Sequence, residues 1–241
     1  MQKNEYKEGR NMKYKVVFLD IDNTLLDFDK AEIHAFRKTM EDAGIGYNDN
    51  IFKVYNEIND ALWQALEVGK TDVATLKVKR FEQLVEVIKV DYLGSEISKL
   101  YERNLGEMAF EIEGAYEVCK ALSKQCELAI ITNGIAAVQK SRIEKTRFRS
   151  FIKRLFISEE IGISKPDAGI FEYALSEMNV MDKSKVLMVG DSLLSDIKGS
   201  QNAGIDSCFF NPNAIEWKKV DPSIKPTYEI KKLSELIELL S

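Results

Sequence analysis

Two hydrophobic patterns alternate along this chain. Short unbroken apolar runs recur at Lys15–Asp20 (KVVFLD), Leu128–Ile131 (LAII), Leu155–Ile157 (LFI), Val186–Val189 (VLMV) and Ser207–Phe210 (SCFF). Runs this short, with few polar positions, read as strands buried on both faces of a parallel sheet. Segments with apolar residues at helical spacing separate the later runs, at Ile135–Thr146, Ile170–Met178 and Leu193–Ala203. Strands alternating with helices predict a doubly wound α/β domain.

The interval 28–110 has a different pattern. Four stretches, about 29–43, 49–67, 72–90 and 95–109, repeat apolar residues every three or four positions, as in Phe52, Tyr55, Ile58, Leu62 and Leu66, or Phe81, Leu84, Val85 and Ile88. Gly44, Gly46, Gly69 and Gly94 punctuate the pattern, and Thr71 is the expected N-cap of the third helix. An all-helical insertion after the first strand reads as a lid over the catalytic face. The expected division is therefore a core of residues 13–27 and 111–241 and a helical cap of residues 28–110. Residues 1–12, polar up to Met12, are expected to be a frayed N-terminal extension without the apolar core of a secretory signal.

Composition narrows the function. Hydrophobic residues make up 45% and charged residues 30%, and 34 basic against 39 acidic side chains leave a net charge of −5. That balance argues against a nucleic-acid coat, and no apolar run approaches the ~18 residues needed to span a bilayer. Three cysteines (Cys119, Cys126, Cys208) without metal-ligand spacing fit a reduced, cytoplasmic protein. The single histidine, His34, lies in a helical pattern and reads as a surface or packing residue. Lys140 to Arg154 carries seven Lys or Arg against one Glu; in a chain without overall positive charge it reads as a solvated helix and loop rather than an RNA contact.

Candidate chemistry clusters at the ends of the apolar runs. Asp20-Ile-Asp22-Asn-Thr24 closes the first, and side chains two apart on extended backbone share one side, so both carboxylates can converge on one reacting group. Thr132-Asn133-Gly134 follows the second run, Ser164-Lys165-Pro166-Asp167 places a lone lysine ahead of a helix, and Gly190-Asp191-Ser192-Leu-Leu-Ser-Asp196 ends another strand with two more carboxylates. Taken singly, Thr132 and Asn133 also read as turn residues, Lys165 as a surface charge, and Asp191 and Asp196 as helix caps. Their common order at three strand ends favours a site.

In order and wording these four segments resemble the motifs of the haloacid dehalogenase (HAD) superfamily of aspartate-nucleophile phosphatases, from about residue 13 onward. The strings DIDNTLLDF, ALW at 61–63, Arg80-Phe81, ITNG, SEEIGISKP, GDSLLSDIKG, Asn211-Pro212 and the terminal PTYEI are most similar to its pyrimidine 5′-nucleotidase subgroup. The resemblance implies a Rossmann-like core with a helical-bundle cap inserted after the first strand. It also implies Mg²⁺-dependent hydrolysis of a small phosphate ester through an aspartyl-phosphate, with no nucleic-acid or membrane partner and a monomeric or homodimeric protein. Asp20 would attack phosphorus and Asp22 would serve as acid and base. Lys165, Thr132 and Asn133 would bind the phosphoryl group. The metal would be held by the Asp20 carboxylate, the Asp22 carbonyl and Asp191, with Asp196 in support.

Selectivity is expected from the cap, because the motifs hold only the phosphoryl group that every candidate ester shares. Trp63, a flat face for a base, and Arg80, a planar donor, are its candidate contacts. Their alternative readings are bundle core for Trp63 and a surface ion pair for Arg80. Phosphatases for phosphoglycolate or sugar phosphates keep the same motifs. A 2-haloacid dehalogenase is the rival chemistry, and it would leave Asp22 and Asp191 without a task. A binding module on a retired scaffold would be marked by loss of Asp20 or Lys165, and both are present.

Overall fold

The apolar runs assemble into one sheet. The computed structural model describes residues 13–67 and 69–240, so the reading of 1–12 as an extension lies outside the described residues. Strands β1 (Val16–Leu19), β2 (Glu127–Thr132), β3 (Ile152–Ile157), β4 (Val186–Gly190), β5 (Asp206–Phe210) and β6 (Tyr228–Ile230) are ordered β3-β2-β1-β4-β5-β6. Every neighbouring pair is parallel. This is the doubly wound order, and its strand sequence reverses between β1 and β4. Crevices at such a reversal, beyond the carboxyl ends of the strands, are where these folds bind ligands. The sixth strand was not expected, because its three residues include one buried position and no apolar run.

Side-chain alternation explains the two buried layers. Val17 and Leu19 of β1 share one face with Leu128, Ile130, Leu187 and Val189. That face packs on helix α5 (Ala115–Leu122) and the C-terminal helix (Glu235–Leu240). Val16 and Phe18 point the other way, with Ala129, Ile131 and Met188, onto a helix at Ala168–Glu177. Successive strand side chains alternate in direction, so a strand apolar at every position must be covered twice. Cys119, Cys126 and Cys208 are free and buried in the first layer.

Four helices lie between β1 and α5: α1 (Phe28–Asp42), α2 (Asp49–Glu67), α3 (Val73–Ile88) and α4 (Gly94–Gly106). They enclose an aromatic centre in which Tyr55 lies 4.5 Å from Phe36, 5.4 Å from Phe81 and 5.6 Å from Tyr101, ring centre to ring centre. Such rings bury large apolar areas and anchor a small bundle. Ile135 and Val138, beside and within α6 (Ala136–Glu144), join this cluster and seat the bundle on the sheet domain. The cap of α3 differs from expectation: Asp72, not Thr71, accepts from the Thr75 amide, since a carboxylate three residues ahead reaches that N–H directly. Gly94 begins α4 rather than ending a turn. A Cβ there would lie 2.5 Å from the Glu82 backbone nitrogen, so its bare surface lets α4 press onto α3.

The two connections to the helical unit run side by side. The Asp27 amide donates to the Phe110 carbonyl and the Ile112 amide to the Leu25 carbonyl. Asp27 then caps α1 by accepting from the Lys30 amide. His34 is exposed on α1 with its ring 5.2 Å from that of Phe110. No helix among the described residues is long and apolar enough to cross a membrane.

Candidate active site

Asp20 leaves β1 at the strand-order reversal, and the residues following β2, β3 and β4 converge on it. Lys165, from the loop between β3 and the Ala168–Glu177 helix, is 1% exposed. Its Nζ donates to Oδ1 of Asp20 and to Oδ1 of Asp196, each at 2.6 Å, and to the Ile131 carbonyl at 2.8 Å. An ammonium has three donors, and all three are used. Lys165 is therefore a buried charge fixed in direction, not a surface lysine.

Asp196 sits on a π-helical turn, Leu193–Ile197, that starts after β4. Its Oδ2 accepts from the Ser192 amide. Gly190 makes room for it: a Cβ there would stand 2.2 Å from that oxygen. Asp191 stands beside it, its Oδ1 accepting from the Thr24 hydroxyl at 3.1 Å. Neither carboxylate is the N-cap of the turn; that role falls to Ser192, which accepts from the Ser195 amide.

Asp22 is held from a separate direction. Its Oδ2 accepts from Gln139 Nε2 at 2.7 Å, and its Oδ1 is paired with the guanidinium of Arg142. The same Gln139 nitrogen reaches Thr132 Oγ1 at 3.0 Å, tying the end of β2 to the Asp22 carboxylate. Gly134 clears the space for Gln139, whose Nε2 would lie 2.1 Å from a Cβ at that position. Arg142 corrects the reading of residues 140–154 as a solvated stretch. It is fully buried, because α6 turns this one position toward Asp22, while Lys140, Lys145, Arg147 and Arg149 form outward ion pairs.

Asn133 has partners other than an open phosphate site. Its Nδ2 donates to the Lys165 carbonyl at 2.8 Å and its Oδ1 accepts from the Lys165 amide at 2.9 Å. One N–H and the oxygen of the amide fix the backbone that carries Lys165, while the residue also lines the cavity described below.

The electrostatics follow from three carboxylates facing one ammonium. Burial raises Asp20 well above the usual carboxylate range, against the pull of Lys165 and with repulsion from Asp196 and Asp191. Asp191 is pushed up to about 7, chiefly by burial and then by Asp196. Burial disfavours the Lys165 charge, but Asp196 and Asp20 outweigh it and hold the ammonium above its ordinary range. One oxygen from each of Asp20, Asp191 and Asp196 lies within 4.8 Å of the others. Since both oxygens of Asp196 are already bonded, Asp20 and Asp191 are the carboxylates able to offer an oxygen outside the bonds described. An all-oxygen donor set short of positive charge fits a hard divalent cation.

A cavity of about 390 Å³ opens over this cluster and continues into the helical unit. Asp20, Asp22, Thr132, Asn133, Lys165 and Asp191 line its floor, and Glu32, Asn59, Trp63 and Arg80 line its far wall. Trp63 is half-buried on the wall, not in the bundle core. Arg80, 2% exposed, is no surface ion-pair partner. The size is that of a small-ligand site.

The family model for haloacid dehalogenase-like hydrolases matches residues 16–210. The chain belongs to that family. It is 33% identical to the pyrimidine 5′-nucleotidase PynA of Streptococcus pneumoniae, across 95% of this chain and 96% of the relative. Identity to the pyrimidine 5′-nucleotidase YjjG of Escherichia coli is also 33%, across 95% and 99%. A magnesium-bound crystal structure of the HAD hydrolase YfnB from Bacillus subtilis superposes with a TM-score of 0.87 at 35% identity, covering 95% of this chain and 99% of that one. The protein is thus a hydrolase of the HAD phosphatase type, and its core is the Rossmann-like sheet of that family.

Proposed function

We propose that this protein hydrolyses phosphate monoesters through a phosphorylated Asp20, with Mg²⁺ as cofactor and pyrimidine nucleoside 5′-monophosphates as preferred substrates. The carrying observation is the Lys165 ammonium bridging Asp20 and Asp196 at the floor of a cavity that extends to Trp63 and Arg80. A phosphoryl group spreads negative charge over its oxygens and would repel Asp20 unless cations flank it. Lys165 is one such cation. Asp20, Asp191 and the Asp22 carbonyl would hold Mg²⁺, which when bound supplies further charge neutralisation, with Asp196 in support.

In the first displacement an Asp20 oxygen attacks phosphorus and the bond to the leaving oxygen breaks. Asp22 delivers a proton to that oxygen, then removes one from the water that cleaves the aspartyl-phosphate. Thr132 and the turn amides that follow donate to the phosphoryl oxygens, while Asn133 keeps Lys165 in register. The helical unit is the cap that encloses the leaving group, with Trp63 as a stacking face and Arg80 as a donor. Phosphoryl transfer is favoured over dehalogenation because Asp22 and Asp191 each have built surroundings that a metal-free displacement would not need. The sequence match to two pyrimidine 5′-nucleotidases supports the substrate class.

The test measures kcat/KM for UMP, dTMP, AMP and phosphoglycolate with Mg²⁺ and after chelation, alongside acid-quench trapping of label from [³²P]UMP. Preference for the pyrimidine nucleotides, loss of turnover on chelation, and label absent from Asp20→Asn are expected. A preference for phosphoglycolate overturns the nucleotidase reading, and undiminished turnover by Asp20→Asn overturns the nucleophile.

A further inference from the structure

The wall of the cavity opposite the phosphoryl site is polar in an organised way. Glu32 of α1, Asn59 of α2 and Arg80 of α3 line it, and Tyr55 of α2 and Tyr101 of α4 back them from within the bundle, so every helix of the cap contributes. Glu32 Oε1 accepts from Asn59 Nδ2 at 3.2 Å, from the Tyr55 hydroxyl at 3.4 Å and from the Tyr101 hydroxyl at 3.5 Å. Arg80 Nη1 donates to Asn59 Oδ1 at 3.1 Å and to the Tyr55 hydroxyl at 3.4 Å. Its guanidinium lies over the Tyr101 ring, 4.7 Å from the ring centre. Asn59 therefore has one end of its amide on the acid and the other on the base, and both are locked in position.

The network leaves specific atoms over. Arg80 Nε and Nη2 are buried and find no acceptor among the described residues, although the residue lines the cavity. All three bonds to Glu32 go to Oε1, which leaves Oε2 outside the network on a residue that also lines the cavity. A purely structural arginine would spend its fork on the bundle, since orphaned buried donors are costly. Here the fork is half spent, and Asn59 links its guanidinium to the Glu32 carboxylate.

We propose that Arg80 and Glu32 form a donor–acceptor pair that reads the hydrogen-bonding edge of the substrate's base, Arg80 donating to a ring carbonyl and Glu32 accepting from the adjacent ring N–H. This rests on the nucleotidase reading and names the groups that would select within it. A uracil or thymine ring presents that juxtaposition at N3–H and its flanking carbonyls, and Trp63 on the same wall offers a face for the ring. A sugar phosphate without a base presents no such edge. Neutral glutamine at position 32 weakens the acceptor, and lysine at position 80 keeps the charge but loses the planar fork.

The decisive comparison uses UMP, N3-methyluridine 5′-monophosphate and ribose 5-phosphate as substrates for wild type, Glu32→Gln and Arg80→Lys. In wild type, N3-methylation should lower kcat/KM about tenfold or more, mostly through KM, because the donor is replaced by a methyl group facing a carboxylate. Glu32→Gln should shrink that methylation penalty toward unity, a coupling that a general packing defect would not produce. Both variants should lower the ratio of UMP to ribose 5-phosphate turnover about tenfold or more. A wild type indifferent to N3-methylation, or variants losing UMP and ribose 5-phosphate equally, would overturn the pair while leaving the nucleotidase reading intact. Wild type turning over ribose 5-phosphate as well as UMP would overturn both.

Discussion

Arg142 reaches Asp22 from α6, 120 residues along the chain, and ties that carboxylate to a connection of the cap. While Nη1 pairs with Asp22, Nε donates to the Met108 carbonyl at 2.9 Å, in the segment that leads out of α4. The proposed acid–base group and the returning linker thus share one rigid, fully buried guanidinium. Arg142 acts through Asp22, which makes it a positioning residue.

Arg142→Lys should expose that coupling, since an ammonium cannot make both bonds in fork geometry. We expect kcat for UMP to fall about tenfold to a hundredfold, with a clearly smaller loss for p-nitrophenyl phosphate. A nitrophenolate leaves without much help from an acid, whereas a ribose alkoxide needs a proton. Steady-state kinetics on the two esters check this, and equal losses would refute a role acting through Asp22.

Gly190→Ala tests how the Lys165 bridge is built. The new Cβ would stand 2.2 Å from Asp196 Oδ2, so Asp196 or β4 must shift, and Asp196 holds Lys165. Overpacking of this kind costs about 2 kcal/mol, which for a chain of this size lowers Tm by roughly 4–8 °C. Activity should fall further than stability does, because the ammonium moves with its partner. A calorimetric scan beside a kcat measurement at 25 °C separates the two, and near-wild-type kcat would show that Asp196 does not set the position of Lys165.

These residues also mark what the sequence made legible. Asp20, Thr132, Lys165, Asp191 and Asp196 stand at or after apolar runs whose pattern identifies strand ends, so local order alone brings them to one edge of the sheet. Arg142 and Gln139 lie within a helix and, for Arg142, a basic stretch; only the rotation of α6 against β2 turns them inward. Glu32 and Asn59 are ordinary polar positions of amphipathic helices, and their meeting with Arg80 depends on how four helices pack. Asn133 was legible as a turn residue at the site, but its partner, the Lys165 backbone, is 32 residues away and leaves no local signal. β6 carries too few buried positions to stand out from a loop.

Asp191→Asn should weaken Mg²⁺ more than it disturbs the fold. Asp191 is one of two carboxylates in the cluster with an oxygen outside the bonds described, and its Thr24 contact survives in an amide. A cation that binds only the folded state stabilises it by about 2.7 kcal/mol at a hundredfold excess over Kd. Millimolar Mg²⁺ should accordingly raise the wild-type Tm by several degrees and the variant's by far less. Thermal unfolding with and without Mg²⁺ reads this independently of catalysis, and identical shifts in both proteins would remove Asp191 from the ligand set.

Glu32 links selectivity to pH-dependent stability. Burial among the cap helices pushes its carboxyl up to about 7 from 4.5; Arg80 pulls the other way, Asp60 of α2 and Asp29 of α1 add repulsion, and the Tyr55 bond opposes it. The Asn59 amide and the Tyr101 hydroxyl complete its surroundings. A carboxyl whose folded pKa is raised keeps its proton longer in the folded state, so the folded chain binds more protons than the unfolded one between those two values. The associated stability is full below about pH 4.5 and is lost as pH rises through about 7. Over a shift of this size the loss amounts to roughly 3 kcal/mol. Glu32→Gln has no proton to lose and should escape it. Urea unfolding at pH 5 and at pH 8.5 should therefore show the variant gaining on wild type at the higher pH, with the difference between the two proteins widening by an amount of that order. A difference that stays constant across the range would mean that Glu32 is ionised throughout and is not held in the desolvated setting described.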